Sequence, residues 1–346
     1  MSVNKLFLQA CRGEQTERTP IWLNRQAGRY MPEYHALKGD TPSLSFFTNP
    51  DMAAQATLDA QRILGVDAAI LFADLLPILV PMGLQLDYLP GQGPVFANPV
   101  RSAADVGRLQ TLSAVEATPY IAQTVKNVLS GLPADIALIG FGAAPFTLAS
   151  YAVEGQGSRN YVHVKKLMYQ APELWRALLD KLTEQLSSYL QLQMDAGAEA
   201  IQLFDTWVGT LSVADFRAYV KPHTAQLISS LKAHRPDVPV IYFGTGNSHL
   251  LADIAELGPD VLALDWRTPL AQTRAQLQLK AVQGNLDPIV LCADRPTIER
   301  QARAVLTEAG AAGGHIFNLG HGIIPETPVD NVKHLIEVVQ THRLHD

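Results

Sequence analysis

The segment NRQAGRYMPEY, residues 24–34, leaves an apolar run, PIWLN, by presenting two arginines around a Gln-Ala-Gly spacer. A guanidinium is a planar fork of N–H donors that keeps its charge throughout the physiological range, and it suits the paired oxygens of a carboxylate or phosphate. Arg25 and Arg29, set this close, repel each other unless an anion lies near both. That anion is either a ligand or a carboxylate of the chain itself, Asp74 being the first candidate. Gly28 lets the backbone approach a ligand and offer its N–H.

Other residues stand where chemistry is possible, each beside a plainer alternative. Asp74 lies between two apolar runs in ILFADLLPILV, so it must be paired, solvated in a cavity, used functionally, or spent on capping a helix. Tyr151, in PFTLASYAVEGQGS, either faces a site or packs its ring, and composition alone favours packing. His321, flanked by glycines in FNLGHGIIPE, is free to face a ligand or to make a structural hydrogen bond. Thr206 in LFDTWVG is a site residue or an ordinary loop residue, and Asp205 and Asp265 are equally readable as interior ion pairs. The turn GTGNS, residues 244–248, lacks the rest of a P-loop. Neither HExxH, a spaced His/Cys cluster nor a GxSxG elbow occurs, so no metal site or serine nucleophile is expected.

The elements that must position these residues follow from short apolar runs at 20–24, 67–72, 136–141, 200–204, 239–243, 261–265, 281–285 and 314–319. Such runs suit parallel strands buried on both faces. Between them lie helical segments: Asn49, Pro50 and Gly65 punctuate one, a second spans about 172–196 with Leu174, Leu178, Leu182, Leu186 and Leu190 on one stripe, and Thr327-Pro328 starts a last helix. Eight strands alternating with helices predict a (β/α)8 barrel, the TIM-barrel class, with the active site at the C-terminal face of the strands. An open doubly wound sheet is the alternative, disfavoured because no GxGxxG follows the first strand. LQLDYLPGQGPVF, within the long connection after the second run, predicts an inserted hairpin. With no linker or repeat evident, a single domain over residues 1–346 is expected.

Composition narrows the function classes. The chain is 47% hydrophobic and 17% charged, enough for one large core. A net charge of −6 argues against general nucleic-acid binding. Cys11 and Cys292 form no disulfide framework, the start lacks a signal-peptide pattern, and no apolar run approaches the roughly 20 residues of a membrane span. A cytoplasmic protein, with no membrane partner, is expected.

Four segments, NRQAGRYMPEY, GAAPFTLASYAVEGQGS, QGNLDP and FNLGHGIIPETP, with ILFADLL between the first two, closely resemble signature stretches of the uroporphyrinogen decarboxylase family. They run in order from residue 24 to 328. The resemblance implies a (β/α)8 barrel, usually a homodimer, that uses no cofactor or metal and converts the four acetate side chains of uroporphyrinogen III to methyls, giving coproporphyrinogen III and carbon dioxide. It also implies substrate contacts from Arg25, Gln26, Ala27, Gly28, Arg29, Asp74, Tyr151, Thr206 and His321, with Asp74 stabilising the transition state and Arg25 and Tyr151 taking part in catalysis. The chain departs from the family at Asn24, where Met is common, and at Gln156 and Arg159 in a Gly-Gly-Ser-Lys pattern. A zinc-dependent methyltransferase of the same superfamily would need a His-x-Cys pair and a further Cys, which Cys11 and Cys292 do not supply. A carrier that kept the pocket without turnover is the remaining alternative.

Overall fold

The computed structural model describes residues 5–89 and 91–343. Among them are β1 (Ala68–Ile70), β2 (Leu86–Leu89), β3 (Gly93–Phe96), β4 (Ala137–Ala143), β5 (Ala200–Asp205), β6 (Val240–Gly244), β7 (Val261–Ala263), β8 (Ala281–Gln283) and β9 (His315–Ile316). β2 and β3 pair as the expected antiparallel hairpin. The other seven form one curled parallel sheet in the order β1-β4-β5-β6-β7-β8-β9. That order never reverses, so the sheet has no switch point of the doubly wound kind. Every residue of β4 is buried, as a strand covered on both faces requires.

Seven of the eight expected runs hold a strand; the first, 20–24, contributes only a parallel bridge between Ile21 and Phe317. It nevertheless bonds to residues that flank both ends of the sheet. The Pro20 carbonyl accepts from the Phe317 amide at 2.8 Å, and the Ile21 carbonyl accepts from the Asp67 amide at 2.8 Å. A longer ladder fails because side chains take its donors. The Ile21 amide donates to the Asp67 carboxylate at 2.8 Å, Leu23 to Gln26 Oε1 at 3.2 Å, and Asn24 to Asn318 Oδ1 at 3.0 Å.

Inside the curl a chain of polar side chains crosses an otherwise apolar core. Trp22 Nε1 donates to Gln283 Oε1 at 3.0 Å, Gln283 Nε2 to Gln202 Oε1 at 2.9 Å, and Gln202 Nε2 to Asn24 Oδ1 at 3.1 Å. Asn24 ends the chain on the Leu319 carbonyl at 3.4 Å and receives the Ile323 amide on its own carbonyl at 3.0 Å. Buried amides are tolerated because each finds its complement.

The helices begin and end where local chemistry dictates. Asn49 accepts the Asp51 and Met52 amides ahead of Pro50–Leu64, and Gly65 closes that helix at φ 70°. Pro172–Ala196 buries Leu178, Leu182, Leu186 and Leu190 completely, while Leu174 is only partly covered. Val329–Thr341 starts immediately after Pro328. Among the described residues no helix is long and apolar enough to cross a membrane.

Candidate active site

Arg25 sits at φ 63°, a left-handed conformation uncommon for a residue with a side chain. The turn around it is held by Gln26, whose amide donates to the Leu23 carbonyl at 3.0 Å and whose Nε2 donates to the Ala68 carbonyl at 3.2 Å. Gln26 is 1% exposed, and its side chain serves this scaffold. Ala27 and Gly28 are half-buried, and a Cβ on Gly28 would stand 3.2 Å from the Arg25 carbonyl oxygen. Both arginines are exposed. Neither is ion-paired to a described carboxylate, so the alternative in which Asp74 neutralises one of them in a salt bridge is not realised. Arg25 lies across Gly322: a Cβ there would come within 2.5 Å of Arg25 Cδ.

Asp74, in the loop leaving β1, is half-buried, and its Oδ1 accepts the Leu76 amide at 3.0 Å. It therefore caps a turn while staying only half-buried. Burial raises its pKa, while the Leu76 amide, the Tyr88 hydroxyl and the Arg25 charge oppose the rise. Tyr151 lies on the helix Pro145–Glu154 with its ring 6.0 Å from that of Trp207, which in turn packs 5.9 Å from Tyr161. Burial raises the Tyr151 phenol, and the Asp74 charge raises it further. So Tyr151 both packs and lies within the field of the carboxylate.

His321 follows β9. Its Nδ1 accepts the Gly322 amide at 2.7 Å, which leaves the proton of the neutral ring on Nε2. Burial lowers its pKa to about 4, helped by the charges of Arg25 and Arg267. The imidazole is thus an uncharged donor at neutral pH. Thr206 is half-buried in the loop after β5, where its carbonyl accepts Thr245 Oγ1 at 2.8 Å.

Three aspartates at neighbouring strand exits have structural partners. Asp205 receives Tyr242 Oη at 2.6 Å and Thr147 Oγ1 at 2.8 Å, and burial raises its pKa to about 6. Asp265 receives the Gly246 amide at 2.6 Å and Arg267 Nη1 at 2.8 Å. Asp287 receives the Ile289 amide at 2.9 Å. The Gly246 amide is thereby committed to the protein, which removes the phosphate reading of GTGNS.

Sequence reasoning missed a set of tyrosines that lie within the field of Asp74. Tyr34, Tyr88, Tyr120 and Tyr189 all feel its charge, in addition to Tyr151. They come from separate elements, so no motif joins them. Arg267, stacked 4.1 Å over the Trp266 ring and close to His321, was also missed. Its position two residues after Asp265 was the available signal. Among the described residues no group of three or more His, Cys, Asp and Glu side chains is placed to hold a metal ion.

Residues 2–342 match the family described as "Uroporphyrinogen decarboxylase (URO-D)". A Chloroflexus aurantiacus protein named uroporphyrinogen decarboxylase is 50% identical over 344 residues, covering 98% of this chain and 96% of the relative. One of the same name from Thermus thermophilus is 49% identical over 338 residues, with 98% of each chain covered. Among solved structures, a methyltransferase from Methanosarcina mazei superposes with a TM-score of 0.79 at 21% identity, covering 98% of both chains, a likeness of fold alone.

Proposed function

The chain belongs to the uroporphyrinogen decarboxylase family and is a carboxy-lyase of tetrapyrrole biosynthesis, and we propose that it removes the carboxyl groups from all four acetate side chains of uroporphyrinogen III, forming coproporphyrinogen III. The observation that carries this assignment is Asp74, half-buried in the loop after β1, within the field of Arg25 and acting in turn on Tyr88, Tyr120 and Tyr151. A site of this kind supports loss of carbon dioxide next to a pyrrole.

When the acetate C–C bond breaks, its electron pair needs a sink. Protonating the ring carbon beside the acetate provides one, because the cationic pyrrole takes up the pair as carbon dioxide departs. The exocyclic carbon then gains a proton and becomes a methyl, and the ring loses the one it had received. Asp74, ionised, accepts pyrrole N–H bonds and stabilises the positive ring by charge already in place. At about 4 Å and an effective dielectric near 20, one charge pair contributes roughly 4 kcal/mol, about a thousandfold in rate. Arg25 and Arg29 hold substrate carboxylates; a guanidinium keeps its proton too firmly to serve as the acid. Tyr151 and the neutral Nε2–H of His321 add uncharged donors, and Thr206 lines the same opening. The backbone of Gln26, Ala27 and Gly28 shapes the arginine turn.

The proposal includes a closed (β/α)8 barrel as one domain, with residues 20–22 as its eighth stave and the active site at the C-terminal ends of the strands. Hydrogen bonds from Pro20–Ile21 to both sheet ends support the closure. It also includes the family's cofactor-free chemistry, homodimer and cytoplasmic location. Anaerobic incubation with uroporphyrinogen III, oxidation to porphyrins and chromatography tests the activity. Stepwise loss of carboxyls is expected, and folded protein that leaves the octacarboxylate intact would overturn the assignment.

A further inference from the structure

The hairpin β2–β3 is fastened on two sides. The Phe96 and Val100 amides donate to Gly155 and Ala152 carbonyls at 2.7 and 2.8 Å, at the end of the helix that carries Tyr151. A train of aromatic rings approaches from the other side: Phe46 to Phe72 at 5.0 Å, Phe72 to Phe47 at 5.5 Å, and Phe47 to Tyr88 at 5.4 Å. Phe72 lies just before Asp74 in the chain. These contacts hold the Tyr88 ring in place, yet its hydroxyl is buried and forms no hydrogen bond of ordinary geometry among the described residues. A dry, unpaired phenol destabilises a fold, and Phe would fill the ring site without that cost.

The ring train that seats Tyr88 includes Phe72, two residues before Asp74, and the Asp74 carboxylate is the acceptor this hydroxyl acts on. Arg25 and the Leu75 and Leu76 amides also act on that carboxylate, and Tyr34, Tyr120, Tyr151 and Tyr189 feel it through space. Tyr88 differs from those four in being poised to donate to it directly. We propose that Tyr88 is a positioning residue for Asp74, its hydroxyl closing onto the carboxylate to orient it and keep it ionised beneath the substrate. The inference rests on the role given to Asp74 above.

Donation to an ionised carboxylate favours the charged form, so removing it raises the carboxyl pKa. The rate that depends on ionised Asp74 then fails at a higher pH. For Tyr88→Phe the acid limb of the kcat/KM profile is expected to move up by about one pH unit, with about a tenfold loss on that limb and little change above it. An unmoved limb, or an equal loss at every pH, would overturn the proposal. A second measurement does not depend on turnover: in protein carrying carboxyl-labelled aspartate, the Asp74 resonance, assigned with Asp74→Asn, should titrate about one unit higher in Tyr88→Phe. An unchanged midpoint refutes the inference even if the wild-type protein does not decarboxylate uroporphyrinogen, a result that would separately sink the assigned function.

Discussion

Replacing Asn24 by Met puts an apolar side chain at the end of the amide chain that runs from Trp22 through Gln283 and Gln202. Gln202 is fully buried, so its Nε2 would be left without an acceptor, a loss of about 1–3 kcal/mol. The Leu319 carbonyl would lose a 3.4 Å contact, too long to contribute much. Asn24 is 2% exposed, and fitting a longer side chain there costs about another 1–3 kcal/mol. Burying the thioether returns about 1.5–3 kcal/mol. The backbone bonds to Asn318 and Ile323 survive, so the expected net loss is about 2 kcal/mol. Urea unfolding should show a lower midpoint with an unchanged slope. The nearly isosteric Gln202→Met, alone and combined with Asn24→Met, should give a coupling of about 1 kcal/mol. An Asn24→Met protein unfolding at the wild-type urea concentration, or two substitutions that simply add, would refute this account of the residue.

Asp74→Asn keeps shape and removes charge; its turnover should fall about a thousandfold while circular dichroism and the thermal midpoint hold, and near-normal rates would take Asp74 out of the mechanism. Gly322→Ala places a Cβ within 2.5 Å of Arg25 Cδ, so the guanidinium must move. Its kcat/KM should drop at least tenfold without loss of fold, toward the value for Arg25→Ala, whereas wild-type kinetics would mean that Arg25 does not work from its present pose. Arg29→Ala should raise KM more than it lowers kcat, since this exposed arginine is assigned to carboxylate binding; an unchanged KM would count against that assignment.

Local signals made much of the scaffold legible. Aliphatic runs marked β4 to β9, and Asn49 and Gly65 bounded their helix because capping is settled by a few adjacent residues. The run at 20–24 was less legible, since Asp67, Gln26 and Asn318 side chains decide where its amides go, and two of the three come from far along the chain. Asp205 and Asp265 were ambiguous for the same reason, their donors lying on other strands and loops. Arg25 follows no rule of residue preference: only its neighbours' hydrogen bonds explain an arginine at φ 63°. Tyr88 carried no signal until the hairpin was seen to fold back beside Asp74, which turns an unremarkable aromatic residue into an unpaired hydroxyl beside a carboxylate. Asn24, a departure without apparent purpose in the sequence, gained one from Gln202.

The seam at Ile21 and Phe317 has a bearing on how the chain is made. Pro20 and Ile21 are translated long before Phe317, whose amide the Pro20 carbonyl accepts. Until Phe317 has been made, therefore, this segment has a partner on one side only, through Asp67, and its other side stays open. Joining residues so distant in sequence is slow, and exposed strand edges in the waiting chain invite association with other nascent chains. Translation of β9 and Phe317 thus sets the time at which Pro20 and Ile21 can reach their final place.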